Sequence, residues 1–255
     1  MTIVLLVFLS ILPVAVLMII MYKMDKFQKE PIKSLVKAFL GGALGAIGIT
    51  TILDLISYKI FPSPPMWYEM FITAGVFEEM SKFLIFMIFI WRDKHFDEFF
   101  DGIVYASFIS LGFACLENIG YVIMASQENS FGYGASVALY RAFYAVPGHF
   151  LDGILLGFFL SLAKFRKERR LLYIITGLAL VIIVSHGLWD YLIELKIEKY
   201  VSTVTYYIAS NTLYIVLWIV GVRFIRRHQK NTKLQFELAE ANNQPTTENN
   251  EQTNT

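Results

Sequence analysis

Long apolar stretches recur along this 255-residue chain, and nothing else in it constrains the fold as strongly. They fall at 2–22, 35–58, 66–91, 102–126, 136–164, 171–195 and 203–223. At 1.5 Å per residue each is long enough to cross a hydrocarbon layer about 30 Å thick. A backbone inside lipid must satisfy its own hydrogen bonds, so apolar runs of this length are read as helices. The expectation is an all-α polytopic membrane protein, with about seven transmembrane helices bundled around a polar intramembrane cavity. Residues 1–229 form that membrane domain. The tail at 230–255, rich in Asn, Gln, Thr and Glu, reads as disordered and cytoplasmic.

The first run has no basic residue before it and a lysine cluster after it, so it reads as a retained span rather than a cleaved signal. Basic residues otherwise gather at alternate ends of the spans: Lys23 to Lys37, Arg92 and Lys94, Lys164 to Arg170, and Arg223 to Lys233. The opposite loops hold only Lys59, Lys196 and Lys199. The positive-inside rule then predicts an outside N-terminus and a cytoplasmic C-terminus in a multi-pass membrane protein. A net charge of +1 gives no reason to expect a nucleic-acid partner, so the partner in view is the lipid bilayer. With Cys115 as the single cysteine, a disulfide framework or a thiolate metal cluster within the chain is excluded.

Against that background Glu78, Glu79 and Lys82 stand out, because they lie in the middle of the third run. An ionised side chain near a membrane midplane costs about 2.5–3.5 kcal/mol on insertion scales, so three together need a reason. On an α-helix Lys82 and Gly75 both fall in the sector between the two glutamates. This predicts an ammonium on one side of the pair and empty volume on the other. Three further spans carry Glu117, His149 and His186 at a similar depth, about 12–15 residues in from the span ends. Each has a companion at helical spacing: Phe113 with Glu117, Asp152 with His149, and Asp190 with His186. Asn118 adds an amide. Pro147 frees the carbonyl of Phe143 and predicts a kink, while Gly148, Gly153 and Gly157 allow close helix approach. Arg141 lies on the outer side of that kink, either reaching the interface or contacting a carboxylate.

A carboxylate in a water-poor cavity is suited to taking a proton from water. Peptide hydrolysis needs such a base, donors for the oxyanion, and an acid for the departing amine. Glu78 or Glu79 would be the base, and His186, His149 and Asn118 would be donors. No metal or other cofactor is expected, since His-Glu-x-x-His is absent. A zinc-dependent hydrolase and a proton- or ion-coupled transporter would draw on the same residue types.

At these residues the sequence resembles the PrsW family of intramembrane proteases, part of a glutamate-protease superfamily that includes the CAAX prenyl endoproteases. The resemblance is carried by Glu78-Glu79-Met80-Ser81-Lys82, by Phe113 with Glu117-Asn118, by Pro147-Gly148-His149, and by His186 with Asp190. The CAAX relatives have Arg and His where this chain has Lys82 and Glu117. The resemblance implies a bacterial membrane protease with Glu78, Glu79 and His186 at its catalytic core and Glu117 and His149 beside them. Its implied substrate is a single-span anti-sigma factor, cut first on the extracytoplasmic side in response to envelope stress.

Overall fold

The computed structural model describes residues 2–243, and within them every regular element is a helix. Eight follow in order: α1 (Thr2–Met24), α2 (Ile32–Ile60), α3 (66–89), α4 (Asp101–Glu128), α5 (Phe131–Phe143), α6 (Ala145–Phe165), α7 (Lys167–Ile197) and α8 (Thr203–Asn243). Counting α5 with α6, six among the described residues are long and apolar enough to cross a membrane. The seventh is α3, helical throughout but carrying Glu69, Glu78, Glu79 and Lys82.

Two expected boundaries shift. The connection placed at 126–136 shrinks to Asn129 and Ser130, because the Ser130 hydroxyl accepts from the Tyr133 amide and starts α5 at once. The tail does not become irregular at 230: α8 continues to Asn243, held by contacts described below, and 244–255 lie outside the described residues.

α4 and α6 form the centre of the bundle. Their backbones meet so closely that a Cβ on Gly157 would lie 2.3 Å from the Gly102 carbonyl oxygen, and one on Gly153 would lie 2.7 Å from the Cα of Ser107. Small residues permit this approach, which is how helices associate where lipid removes the hydrophobic drive. Between α5 and α6 the helix breaks at Tyr144, three residues before Pro147. Proline supplies no amide for the carbonyl of Phe143. The Tyr214 hydroxyl of α8 donates to that oxygen instead, at 3.0 Å.

The basic end of the bundle is closed by the continuation of α8. His228 donates through Nε2 to the Phe158 carbonyl at 2.9 Å, and Gln229 donates to that of Met24 at 2.8 Å. Thr232 and Gln235 accept from the amides of Phe100 and Phe99. These contacts cover a buried acidic group: Asp25, Glu30, Glu98 and Asp101. Asp101 accepts the amides of Asp97 and Glu98, while Tyr105 donates to Glu30.

Candidate active site

Two stretches of wide, i→i+5 bonded π-helix carry the centre: Glu69–Glu78 in α3 and Leu180–Gly187 in α7. Such stretches are rare and concentrate at functional positions. They face each other at Gly75, whose Cβ would stand 3.0 Å from the Ile182 carbonyl oxygen of α7, and at Gly187, whose Cβ would stand 2.5 Å from Cδ1 of Phe71 on α3. Gly75 therefore does not leave the empty volume expected of it. It lets the helix bearing the glutamates approach the helix bearing His186. The open space lies at Gly148, where a Cβ would meet nothing within 4 Å, so of the three α6 glycines it alone plays no packing role.

Glu79 is completely buried. Its Oε1 accepts from Lys82 Nζ at 2.7 Å and from His186 Nδ1 at 2.8 Å. Glu78 is related to the same two residues from the other side, with Oε2 3.5 Å from Lys82 Nζ and 3.7 Å from His186 Nε2. Adjacent residues of an ordinary α-helix diverge by about 100°, yet here both carboxylates reach one lysine and one imidazole. The lysine bridges them, with its ammonium 4.1 Å from the ring centroid of Phe113.

From Lys82 the network continues. Lys82 donates to His149 Nδ1 at 3.1 Å, and His149 Nε2 contacts Glu117 Oε2 at 2.9 Å. The same oxygen accepts from Arg141 at 2.6 Å. Arg141 thus takes a carboxylate contact, and its guanidinium also lies 4.2 Å from the Tyr121 ring centroid. All five acid and imidazole residues singled out from the sequence, Glu78, Glu79, Glu117, His149 and His186, belong to this cluster.

Two companions turn elsewhere. Asp152 does not pair with His149 one turn away; it accepts from Ser185 and lies 3.9 Å from His186 Nδ1. Asn118 turns away from the glutamates: its amide donates to the Ser10 carbonyl of α1 at 2.9 Å and its oxygen accepts from Arg141. Being fully buried there, it has no route to an oxyanion. Asp190 lies 3.4 Å from His186 Nε2, as its spacing predicts. Ser185 carried no signal beyond its place beside His186.

The cluster borders a cavity of about 490 Å³. Glu78, Glu117, His149, Asp152, His186 and Asp190 line it, and Glu79 does not. One wall is aromatic: Tyr144 stacks on Tyr140 and Trp189, and Tyr214 packs beside them. Ile193, Glu194 and Ile197 carry the lining toward the end of the bundle opposite the basic one.

Donor atoms of Glu78, Glu79, His149 and His186 lie within 4.8 Å of one another. Glu78 Oε2 and Glu79 Oε2 are buried without a hydrogen-bond partner among the described residues. Two imidazoles and two carboxylates match the donor preferences of a zinc-type ion, so the residue set fits one. The Lys82 ammonium already lies among them.

A bundle of membrane-crossing helices around a buried acid and imidazole centre defines an intramembrane hydrolytic class of protein. The chain belongs to the PrsW family: residues 30–222 match the family model described as PrsW family intramembrane metalloprotease. Among curated relatives, Protease PrsW of Oceanobacillus iheyensis is 32% identical, across 88% of this chain and 95% of its own length. Protease PrsW of Bacillus subtilis is 30% identical (89% and 96%), and that of Clostridioides difficile is 28% identical (89% and 93%). No solved structure matches the chain.

Proposed function

We propose that this membrane protease is an endopeptidase that cuts a membrane-anchored, single-span protein with a water activated by Glu78. One observation carries the assignment: Glu78 lines the cavity, whereas Glu79 is completely buried outside its lining, with Oε1 held by both Lys82 and His186. Glu78 takes a proton from water, and the hydroxide adds to the scissile carbonyl. The protonated Glu78 then returns that proton to the amine as the carbon–nitrogen bond breaks. Glu79 fixes Lys82 and the Nδ1 side of His186. The other ring nitrogen, Nε2, faces the cavity side, where a proton carried on it is offered to the oxyanion.

The resident Lys82 ammonium supplies the positive charge the paired acids need, which favours chemistry without a metal. A second reading is favoured by the convergence of four donors: Glu78, Glu79, His149 and His186 would hold a divalent ion, which would supply Lewis acidity toward water and the scissile carbonyl. Cleavage of a single-span protein by the purified chain in liposomes separates the two. The first reading expects activity that survives chelation and is lost about 1,000-fold or more in Glu78→Gln. Loss on chelation with recovery on adding zinc supports the second, and full activity in Glu78→Gln overturns both.

The cavity opens toward the end opposite the basic one, which supports a cut on the extracytoplasmic side once the positive-inside rule sets the N-terminus outside a bacterial cell membrane. The family resemblance extends the substrate to an anti-sigma factor receiving its first cut under envelope stress.

A further inference from the structure

We infer that His149 is a positioning residue for Lys82, locked in a single tautomer by Arg141 through Glu117, and that neither of its ring nitrogens serves substrate or a metal ion. The inference rests on the protease reading and assigns His149 a part that its donor type alone would not.

The direction of each bond in the network is forced by its two ends. An ammonium has three donors and no acceptor, so the 3.1 Å contact of Lys82 Nζ with His149 Nδ1 requires a lone pair on Nδ1. An ionised carboxylate only accepts, and Glu117 Oε2 is already fixed by Arg141 at 2.6 Å, so the 2.9 Å contact with His149 Nε2 requires the hydrogen on Nε2. One end of the ring faces a pure donor and the other a pure acceptor. Nδ1 therefore has no free lone pair for a metal, and Nε2 has no free hydrogen for an oxyanion. Protonating the ring would set an N–H against the ammonium of Lys82.

The far end of the chain is anchored as firmly. Arg141 Nε donates to Asn118 at 2.9 Å, and Asn118 donates to the Ser10 carbonyl at 2.9 Å. A continuous set of hydrogen bonds thus runs from α1 through α4, α5 and α6 to Lys82 on α3, and through Glu79 to His186 on α7. Its effect on Lys82 is to hold the ammonium where it reaches both glutamates. Without His149 the ammonium would swing, and with it the carboxylate of Glu79 and the ring of His186. Arg141 and Glu117 are then positioning residues too, acting through His149.

The test exploits the small number of histidines, four in the chain, which makes ring nitrogen signals assignable in a protein labelled with 15N histidine. In the full-length protein in nanodiscs, His149 is expected to show hydrogen on Nε2 and a lone pair on Nδ1. Glu117→Leu, which leaves Lys82 facing Nδ1, is expected to keep the hydrogen on Nε2 but to free the ring to reorient, broadening its signals. Cleavage adds a second readout. His149→Asn keeps an acceptor near the place of Nδ1, whereas His149→Ala keeps none. The former should stay within about 10-fold of the wild-type kcat and the latter should lose about 100-fold, with KM nearly unchanged in both. Metal bound per chain should not differ between the wild type and either variant. Hydrogen on Nδ1, a metal-shifted ring signal, metal lost in His149→Asn, or His149→Asn as inactive as His149→Ala would each overturn the assignment. Should the wild type cleave nothing, the protease reading fails while the ring signals still decide the role of His149.

Discussion

Glu78 and Glu79 are adjacent in sequence but have unlike surroundings. One borders the cavity, and the other is enclosed with a single oxygen, Oε1, bonded to both Lys82 and His186. That difference makes Lys82 the residue on which the centre most depends, because it is the cation shared by both. Removing one partner of a buried ion pair leaves a charge that neither water nor protein compensates, at a cost of about 3–5 kcal/mol. Lys82→Met is therefore expected to lower the thermal unfolding midpoint in detergent sharply. Lys82→Met combined with Glu79→Gln should recover part of that loss without recovering activity. At this scale the sequence was a good guide to which residues meet and a poor one to which pairs form. Asp152 serves Ser185 and His186 rather than His149, and Glu117 takes its place. Spacing along one helix reveals neighbours on that helix only. The partners here come from across the bundle, where helix rotation decides.

The wide turns in α3 and α7 explain why the angular expectations drifted. A 100° step per residue holds for α-helix, and ten residues of wider winding before Glu79 bring the two acids round to common partners. Nothing in residues 69–78 announces that winding, since the same letters fit an ordinary helix. Gly75 marks where it matters. Gly75→Ala would press a methyl group against the Ile182 carbonyl, 3.0 Å away, and push α3 from α7. The expected result is a kcat reduced by about 100-fold with the helical content unchanged by circular dichroism. The loops at the basic end behave differently. Burial pushes the carboxyls of Glu30 and Glu98 up to about 8, with Asp25 and Asp101 nearby adding to the effect at Glu98. A carboxyl whose folded pKa exceeds its unfolded value stabilises the fold most below the unfolded value and loses that contribution as pH rises through the folded one. Protection of residues 92–100 from hydrogen exchange should thus fall between about pH 4.5 and 8 and level off above that. In Glu98→Gln the fall should be shallower.

Across the whole molecule the apolar periodicity was decisive: helices stand where the long runs lie, and four of them deliver ionisable groups to one level. What the runs could not reveal was the fate of the polar segment after 223. Its composition resembles a solvated tail, yet residues 224–243 continue α8 over the basic end and satisfy backbone groups of the loop before α4. Such capping depends on two loops distant in sequence and has no local signature. Truncation after Gln229 removes Thr232 and Gln235 and should expose Phe99 and Phe100 to limited proteolysis, while the cavity residues keep their hydrogen bonds. The bond from Tyr214 to the Phe143 carbonyl carries a consequence of another kind. If α8 swung outward to admit a substrate along the α6 seam, that oxygen would be stranded in lipid at a penalty of about 1–3 kcal/mol. That contact therefore adds to the cost of parting α8 from the α5–α6 break.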